Sequence, residues 1–229
     1  MFYMDIYYFI LVVPVLILAL AAQIMVKSSY KKYSKVLSLR GLTGAQAATM
    51  VLRYYGITDV TIEGVMGELS DHYDPKAKVI RLSAGVANSS SIASIGIACH
   101  EAGHAAQHAQ EYAPIRIRNA ILPVCNIGSF IGIPIALIGL FLHATPLIYV
   151  GLALYGMVAL FQIVTLPVEL DASHRAIKVI EETNLLTVEE VPGAKKVLVC
   201  AAMTYITALL STLANLLRLL LLFTGGKRR

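Results

Sequence analysis

The chain has 229 residues, enough for one or two domains. Apolar residues make up 57% of it, charged residues only 14%, and the mean hydropathy is +0.70. Soluble enzymes carry about 25% charged residues, so a water-soluble class is excluded and the net charge of +5 has to be read along a membrane protein.

In chain order, the first apolar stretch runs from about Ile6 to Val26. It has no basic flank before it, it is long, and positive charge follows it, so it predicts a retained span rather than a cleaved signal peptide. Lys27, Lys31, Lys32, Lys35 and Arg40 come directly after it and only Asp5 before it. The positive-inside rule then places the N-terminus outside and residues 27–120 in the cytoplasm. Residues 43–55 predict an amphipathic helix capped by Thr43, with Ala47, Met50, Val51 and Tyr54 on one face and Gly56 at its end. Residues 58–66 read as a strand. Residues 68–73 and 78–83 read as hairpin arms around the turn Asp74-Pro75-Lys76-Ala77. Asn88, Ser89 and Ser90 offer N-caps for a helix over about 90–110, whose second half reads HEAGHAAQHAQ.

Further spans are predicted at about Ile121–Leu142 and Leu147–Leu166, joined by a His143–Pro146 turn without Lys or Arg, as expected of an external turn. Thr165 and Pro167 then mark a helix start, followed by Glu169, Asp171 and His174. A fourth apolar stretch covers about Ala201–Phe223 and contains Arg218. If it crosses, the tail Lys227-Arg228-Arg229 lies outside, against the charge rule. Either the first loop dominates, or this segment lies along the membrane or re-enters it. Three cysteines, Cys99, Cys125 and Cys200, form no CxxC pair and suit a reducing compartment, with Cys99 a packing residue. The expected fold is a mainly α membrane protein of about four transmembrane or membrane-associated helices with a small cytoplasmic α+β domain. Its parts are an N-terminal helix (1–26), the α+β domain (27–118), a transmembrane hairpin (119–166), a helix with a further metal ligand (167–200) and a C-terminal membrane helix with a basic tail (201–229).

His100 and His104 are four residues apart, so on a helix both imidazoles share one face about 6 Å apart along the axis. Glu101 lies about 100° round, where it can take a proton from zinc-bound water. Zinc needs neutral imidazoles, a third protein ligand and an open fourth position. His108 continues the face but sits about 12 Å from His100 along the axis, too far to share the ion. Glu169 is the expected third ligand and Asp171 the alternative. Glu169 and Asp171 would also suit a helix N-terminus without any metal.

Four stretches carry a family resemblance: LTGAQAA (Leu42 to Ala48), DHYDPKAKVIRLS (Asp71 to Ser83), ACHEAGHAAQHA (Ala98 to Ala109) and LPVELDASHRA (Leu166 to Ala176). In these the chain resembles the YugP-like bacterial membrane zinc metallopeptidases. That family looks like a small relative of the gluzincins, most similar to the branch with HtpX-like proteases and CAAX prenyl endopeptidases. The resemblance implies a gluzincin-like domain, His100, His104 and Glu169 as zinc ligands and Glu101 as base. It also implies Lys78, Val79, Ile80, Arg81, Leu82 and Ser83 as the edge strand along which substrate lies. Ser173 stands where many gluzincins have an Asp, a position for which Asp171 and Arg175 are substitutes.

The function expected is a multi-pass cell-membrane endopeptidase with one Zn2+ per chain. Its substrates would be membrane-associated or misfolded membrane proteins near the cytoplasmic face, with the lipid bilayer as its other partner and no nucleic acid. His72, Tyr73, His174 and Arg175 are candidates for stabilising the oxyanion. Two other readings are an intramembrane zinc protease and a non-catalytic zinc-containing scaffold. Against the second, a structural site has no use for a base beside an open position.

Overall fold

The computed structural model describes residues 5–225, so the basic tail lies outside the described residues. A π-helical stretch, Tyr8–Val12, leads into α1 (Val13–Tyr33). There follow α2 (Gly44–Tyr54), β1 (Thr61–Val65), β2 (His72–Asp74), β3 (Val79–Ser83), α3 (Ala84–Ala87), α4 (Ile92–Ala109), α5 (Ala113–Phe141), α6 (Thr145–Glu182) and α7 (Val191–Gly225). Four helices are long and apolar enough to cross a membrane: Tyr8–Tyr33, Ala113–Phe141, Thr145–Glu182 and Val191–Phe223. The protein is therefore mainly helical, with one three-stranded sheet.

Local chemistry accounts for most boundaries. Thr43 caps α2 with a full capping box: its hydroxyl accepts from the Gln46 amide, and the Gln46 side chain accepts from the Thr43 amide. Gly56, at φ +68°, closes it. The buried stripe of α2 is Gly44, Ala47, Ala48, Val51 and Leu52, rotated from the expected one, and Tyr54 is exposed. The small residues, rather than the tyrosine, permit close approach to α4. The cap of α4 is Ser91, not residues 88–90; its hydroxyl accepts from the Ser94 amide at 3.2 Å, while Ser89 supports the Ser91 amide.

Two larger expectations are overturned. Residues 165–167 do not begin a helix, because α6 runs unbroken from Thr145 to Glu182 with Pro167 inside it. A proline removes one backbone donor, and long membrane helices tolerate this. Residues 78–83 are also not an edge strand. β3 pairs in parallel with β1 (Thr61 opposite Val79) and antiparallel with β2 (Tyr73 opposite Ile80), so the order is β1-β3-β2. Val79, Ile80 and Leu82 are buried, whereas β1 is largely exposed, so the most apolar strand takes the middle. Arg81 ties both neighbours to it, at 2.9 Å from Asp74 and 3.7 Å from Glu63. The hairpin turn is held as expected, with Asp74 Oδ1 accepting from the amides of Lys76 and Ala77.

The described chain forms two compact units. One comprises residues 24–115 and 167–203. Its core joins Ala47, Ala48 and Val51 of α2, Ile80 and Leu82 of β3, Ile95, Ala98, Cys99, Ala102 and Ala106 of α4, and Ala176, Val179 and Ile180 of α6. Glu190 secures its loops, accepting from the amides of Leu39 and Thr187, each at 2.8 Å.

The other unit comprises residues 5–23, Arg116–Leu166 and 204–225. Here α5 and α6 meet through small residues, as helices in lipid do when no hydrophobic effect drives them together. Gly128, Gly132 and Ala136 repeat every four residues on α5; Gly128 lies against Leu154 of α6, and Gly132 and Ala136 lie against Gly151. A Cβ at Gly151 would fall 2.4 Å from the Ala136 amide nitrogen and 2.5 Å from the Gly132 oxygen. Arg218 is not left bare in α7: Nη2 and Nε lie 2.6 and 2.8 Å from Asp5 Oδ2, and the guanidinium rests 5.1 Å from the Tyr8 ring centre. Gly151→Ala should lower the thermal stability of the detergent-solubilised protein by about 1–3 kcal/mol. Gly156→Ala on the same helix, where a new Cβ meets nothing within 4 Å, should leave it unchanged. Equal melting temperatures for the two variants would contradict this packing.

Candidate metal centre

The site begins with α4. Its first half buries Ile92, Ile95 and Ala98 and so anchors the helix in the core. The second half brings His100, Glu101 and His104 round on successive turns. The two imidazole centres lie 4.7 Å apart with planes at 81°. From α6, Glu169 is 4% exposed and points between them, its Oε2 lying 3.4 Å from His100 Nε2 and 3.6 Å from His104 Nε2. These three side chains are brought together closely enough to hold one ion.

The fit to zinc can be tested on these distances. Ligands about 2.0–2.1 Å from a tetrahedral ion stand about 3.3 Å from one another. The Glu169 oxygen meets that spacing to both histidines within a few tenths of an ångström. Proton placement also fits. Gln107 is fully buried, and its amide nitrogen donates to the Val168 carbonyl at 2.7 Å and to Asp171 Oδ2 at 2.8 Å. Its Oε1, 3.0 Å from His104 Nδ1, can only accept. His104 therefore carries a proton on Nδ1, which leaves Nε2, on the Glu169 side, as the nitrogen that can take a cation or a second proton. Ser173 Oγ, 3.1 Å from His100 Nδ1, orients the other ring.

The electrostatics favour a cation. Burial works against the charged form of His104, yet the Glu169 carboxylate, with Glu101 and Gln107, raises its pKa above the ordinary value. Without metal, a proton supplies the positive charge the carboxylate needs, so a cation bound here would displace protons. Glu101 is 9% exposed and, among the described residues, has no recorded hydrogen-bond or ion-pair partner, so its lone pairs are available.

The glycine of HEAGH sets the separation of the two helices. A Cβ at Gly103 would sit 2.7 Å from the Ala172 carbonyl oxygen of α6. Only hydrogen at that position lets the α4 imidazoles reach Glu169.

The remaining predicted residues are distributed as follows. Asp171 reaches the centre through Gln107 and is held at 2.6 Å by Arg175, which also bonds Gln110. Arg175 lies against the Tyr55 and Tyr112 rings. His72 is exposed and bonded to the Ser70 carbonyl, and His174 is exposed on α6. Tyr73 bonds His108 Nδ1 at 3.2 Å. Burial pushes its pKa up to about 12, so it stays a neutral donor. Cys99 is buried in the core, and burial raises its thiol pKa. Gln107, Ser173 and Gly103 were not singled out as supports. The available signal was Gln107 itself, a long polar residue three positions after His104 on a core-facing helix, since a buried amide must find partners.

Gln107→Leu should weaken zinc affinity about 10- to 100-fold by releasing the His104 tautomer. Gly103→Ala should also weaken it, by separating the helices. Competition against a chromogenic chelator measures both, and an unchanged affinity in either variant would remove that residue from the account.

The comparisons agree with this geometry. A family model described as "Putative neutral zinc metallopeptidase" matches residues 8–224. The "Putative membrane protease YugP" of Bacillus subtilis (strain 168) is 42% identical over 217 residues, covering 95% of this chain and 96% of that protein. No solved structure matches. Four apolar helices, a His/His/Glu cluster shared by the HExxH helix and α6, and a family model spanning nearly the whole sequence lead to one conclusion: the chain belongs to this family of membrane zinc metallopeptidases.

Proposed function

We propose that the chain is an endopeptidase of the cell membrane. It would hydrolyse membrane-associated or misfolded membrane proteins near the cytoplasmic face, with His100, His104 and Glu169 as the ligands of one zinc and Glu101 as the base. The observation carrying this reading is the convergence of His100, His104 and Glu169 beside the buried Glu101 carboxylate. Zinc supplies Lewis-acid polarisation of a carbonyl and lowers the pKa of the water it binds. The Glu101 carboxylate takes the proton from the attacking water and delivers it to the leaving amine. Gln107 and Ser173 hold the imidazoles in the required tautomer and orientation throughout. A substrate strand added to the sheet has β1 or β2 as partner, since β3 is paired on both sides.

The orientation rests on Lys27, Lys31, Lys32, Lys35 and Arg40 after the first span. It is supported by the Asp5–Arg218 pair, which joins the beginning of the first membrane helix to the end of the last, as four successive crossings require. In this reading residues 27–118 and 167–200 are cytoplasmic. A purely structural zinc site is disfavoured because Glu101 would then be a buried carboxylate without a task.

The purified protein should hold about one zinc per chain. Glu101→Gln should keep the metal and lose peptide cleavage, because it removes only the proton acceptor. Glu169→Gln should lose metal, with activity partly restored by excess zinc. Asp171→Asn, acting through Gln107, should cost about 10- to 100-fold in activity. Metal analysis and cleavage assays on the same preparations separate the roles. Metal loss from Asp171→Asn with retention in Glu169→Gln would overturn the ligand set, and wild-type cleavage by Glu101→Gln would overturn the mechanism. For orientation, a reporter after Lys35 should read cytoplasmic and one in the His143–Pro146 turn external. The same reading from both would reject the proposed topology.

A further inference from the structure

The membrane helices hold a polar feature that the metal site does not use. A cavity of about 350 Å³ opens among α5, α6 and α7, lined by Cys125, Val158, Phe161 and Ala208 together with Arg118, Asn126, Ser129, Gln162, Thr165 and Tyr205. Apart from Arg118, all these residues lie within the stretches read as spans. Two of the polar groups stand out. Thr165 is 4% exposed, and neither its Oγ1 nor the buried Gln162 Oε1 has a hydrogen-bond partner. An unpartnered polar atom inside a membrane protein is costly, and such groups mark functional pathways.

Their chemistry selects the ligand. Gln162 Oε1 accepts hydrogen bonds and cannot donate them, so its partner must bring an N–H or O–H. The phosphodiester of a lipid brings none. A peptide group brings an N–H for Gln162 and a carbonyl that the Thr165 hydroxyl can serve. In an intact transmembrane helix those backbone groups are already bonded to each other, and they become free only where the helix is broken. We propose that this cleft binds a locally unwound stretch of a partner's transmembrane helix through Gln162 and Thr165. On the peptidase reading above, that partner is a substrate, so the cleft would favour integral membrane proteins whose spans carry helix-breaking residues.

Binding can be measured without cleavage. Two fluorescent peptides of about 20 apolar residues, one uninterrupted and one with a central Gly-Pro step, are titrated against the full chain in nanodiscs. The zinc-loaded Glu101→Gln variant is used so that no peptide is consumed. The broken span should bind about tenfold more tightly, the effect of a hydrogen bond or two. Adding Gln162→Leu and Thr165→Val should abolish that preference while leaving the uninterrupted peptide's affinity unchanged. Both substitutions replace unpartnered polar atoms with apolar ones of similar shape, so the thermal stability should hold or rise. Equal binding of the two peptides by the unmodified cleft would overturn the proposal, as would a preference that survives the double substitution. If the broken span binds as expected but active wild-type enzyme cleaves neither peptide nor a soluble one, the peptidase reading fails and the cleft assignment stands.

Discussion

The close approach of α4 to α6 at Gly103 is the constraint on which the centre depends. Two histidines one turn apart on a helix can grip an ion only weakly alone, and the third ligand has to arrive within about 3.3 Å of both. The Ala172 carbonyl leaves no room for a Cβ at position 103, so the helices meet at the glycine inside the motif itself. Ala98, Ala102 and Ala106 on α4 and Ala172 and Ala176 on α6 are likewise buried small residues.

From that contact the polar network follows. Once α6 lies along α4, the Val168 carbonyl and the Asp171 carboxylate fall within reach of Gln107, and Ser173 falls within reach of His100. Gln107 then does two things at once. It satisfies a buried carbonyl, and it leaves only its acceptor oxygen for His104. Arg175 neutralises Asp171 from the far side. The chain of contacts runs from the Arg175 guanidinium through Asp171 and Gln107 to the His104 imidazole, and each donor meets an acceptor, as a buried network must.

The membrane helices obey a different rule. Lipid offers no hydrophobic gain for burying Leu against Leu, so α5 and α6 associate through Gly128, Gly132 and Gly151, where backbones come into contact. Arg218, an expensive residue in a span, is satisfied by Asp5 and the Tyr8 ring. The small-residue device thus appears in both units, between the apolar helices to permit packing and at the candidate metal centre to bring His100, His104 and Glu169 together.

Much of this protein is determined by its sequence alone, because the signals are local. Twenty-residue apolar runs, helical spacing of His100 and His104, the Thr43 capping box and the Asp74 turn each depend on residues a few positions apart. What the sequence could not decide depends on partners distant along the chain. The middle place of β3 is settled by which strand buries both faces once β1 and β2 arrive. The continuity of α6 through Pro167 is settled by the tolerance of long membrane helices for one missing hydrogen bond. The choice of Glu169 over Asp171 beside the imidazoles is settled by the rotation of α6 against α4, which turns one carboxylate to the histidines and the other to Gln107. Residues two positions apart on a helix differ by about 200°, and only packing fixes which of them faces inward.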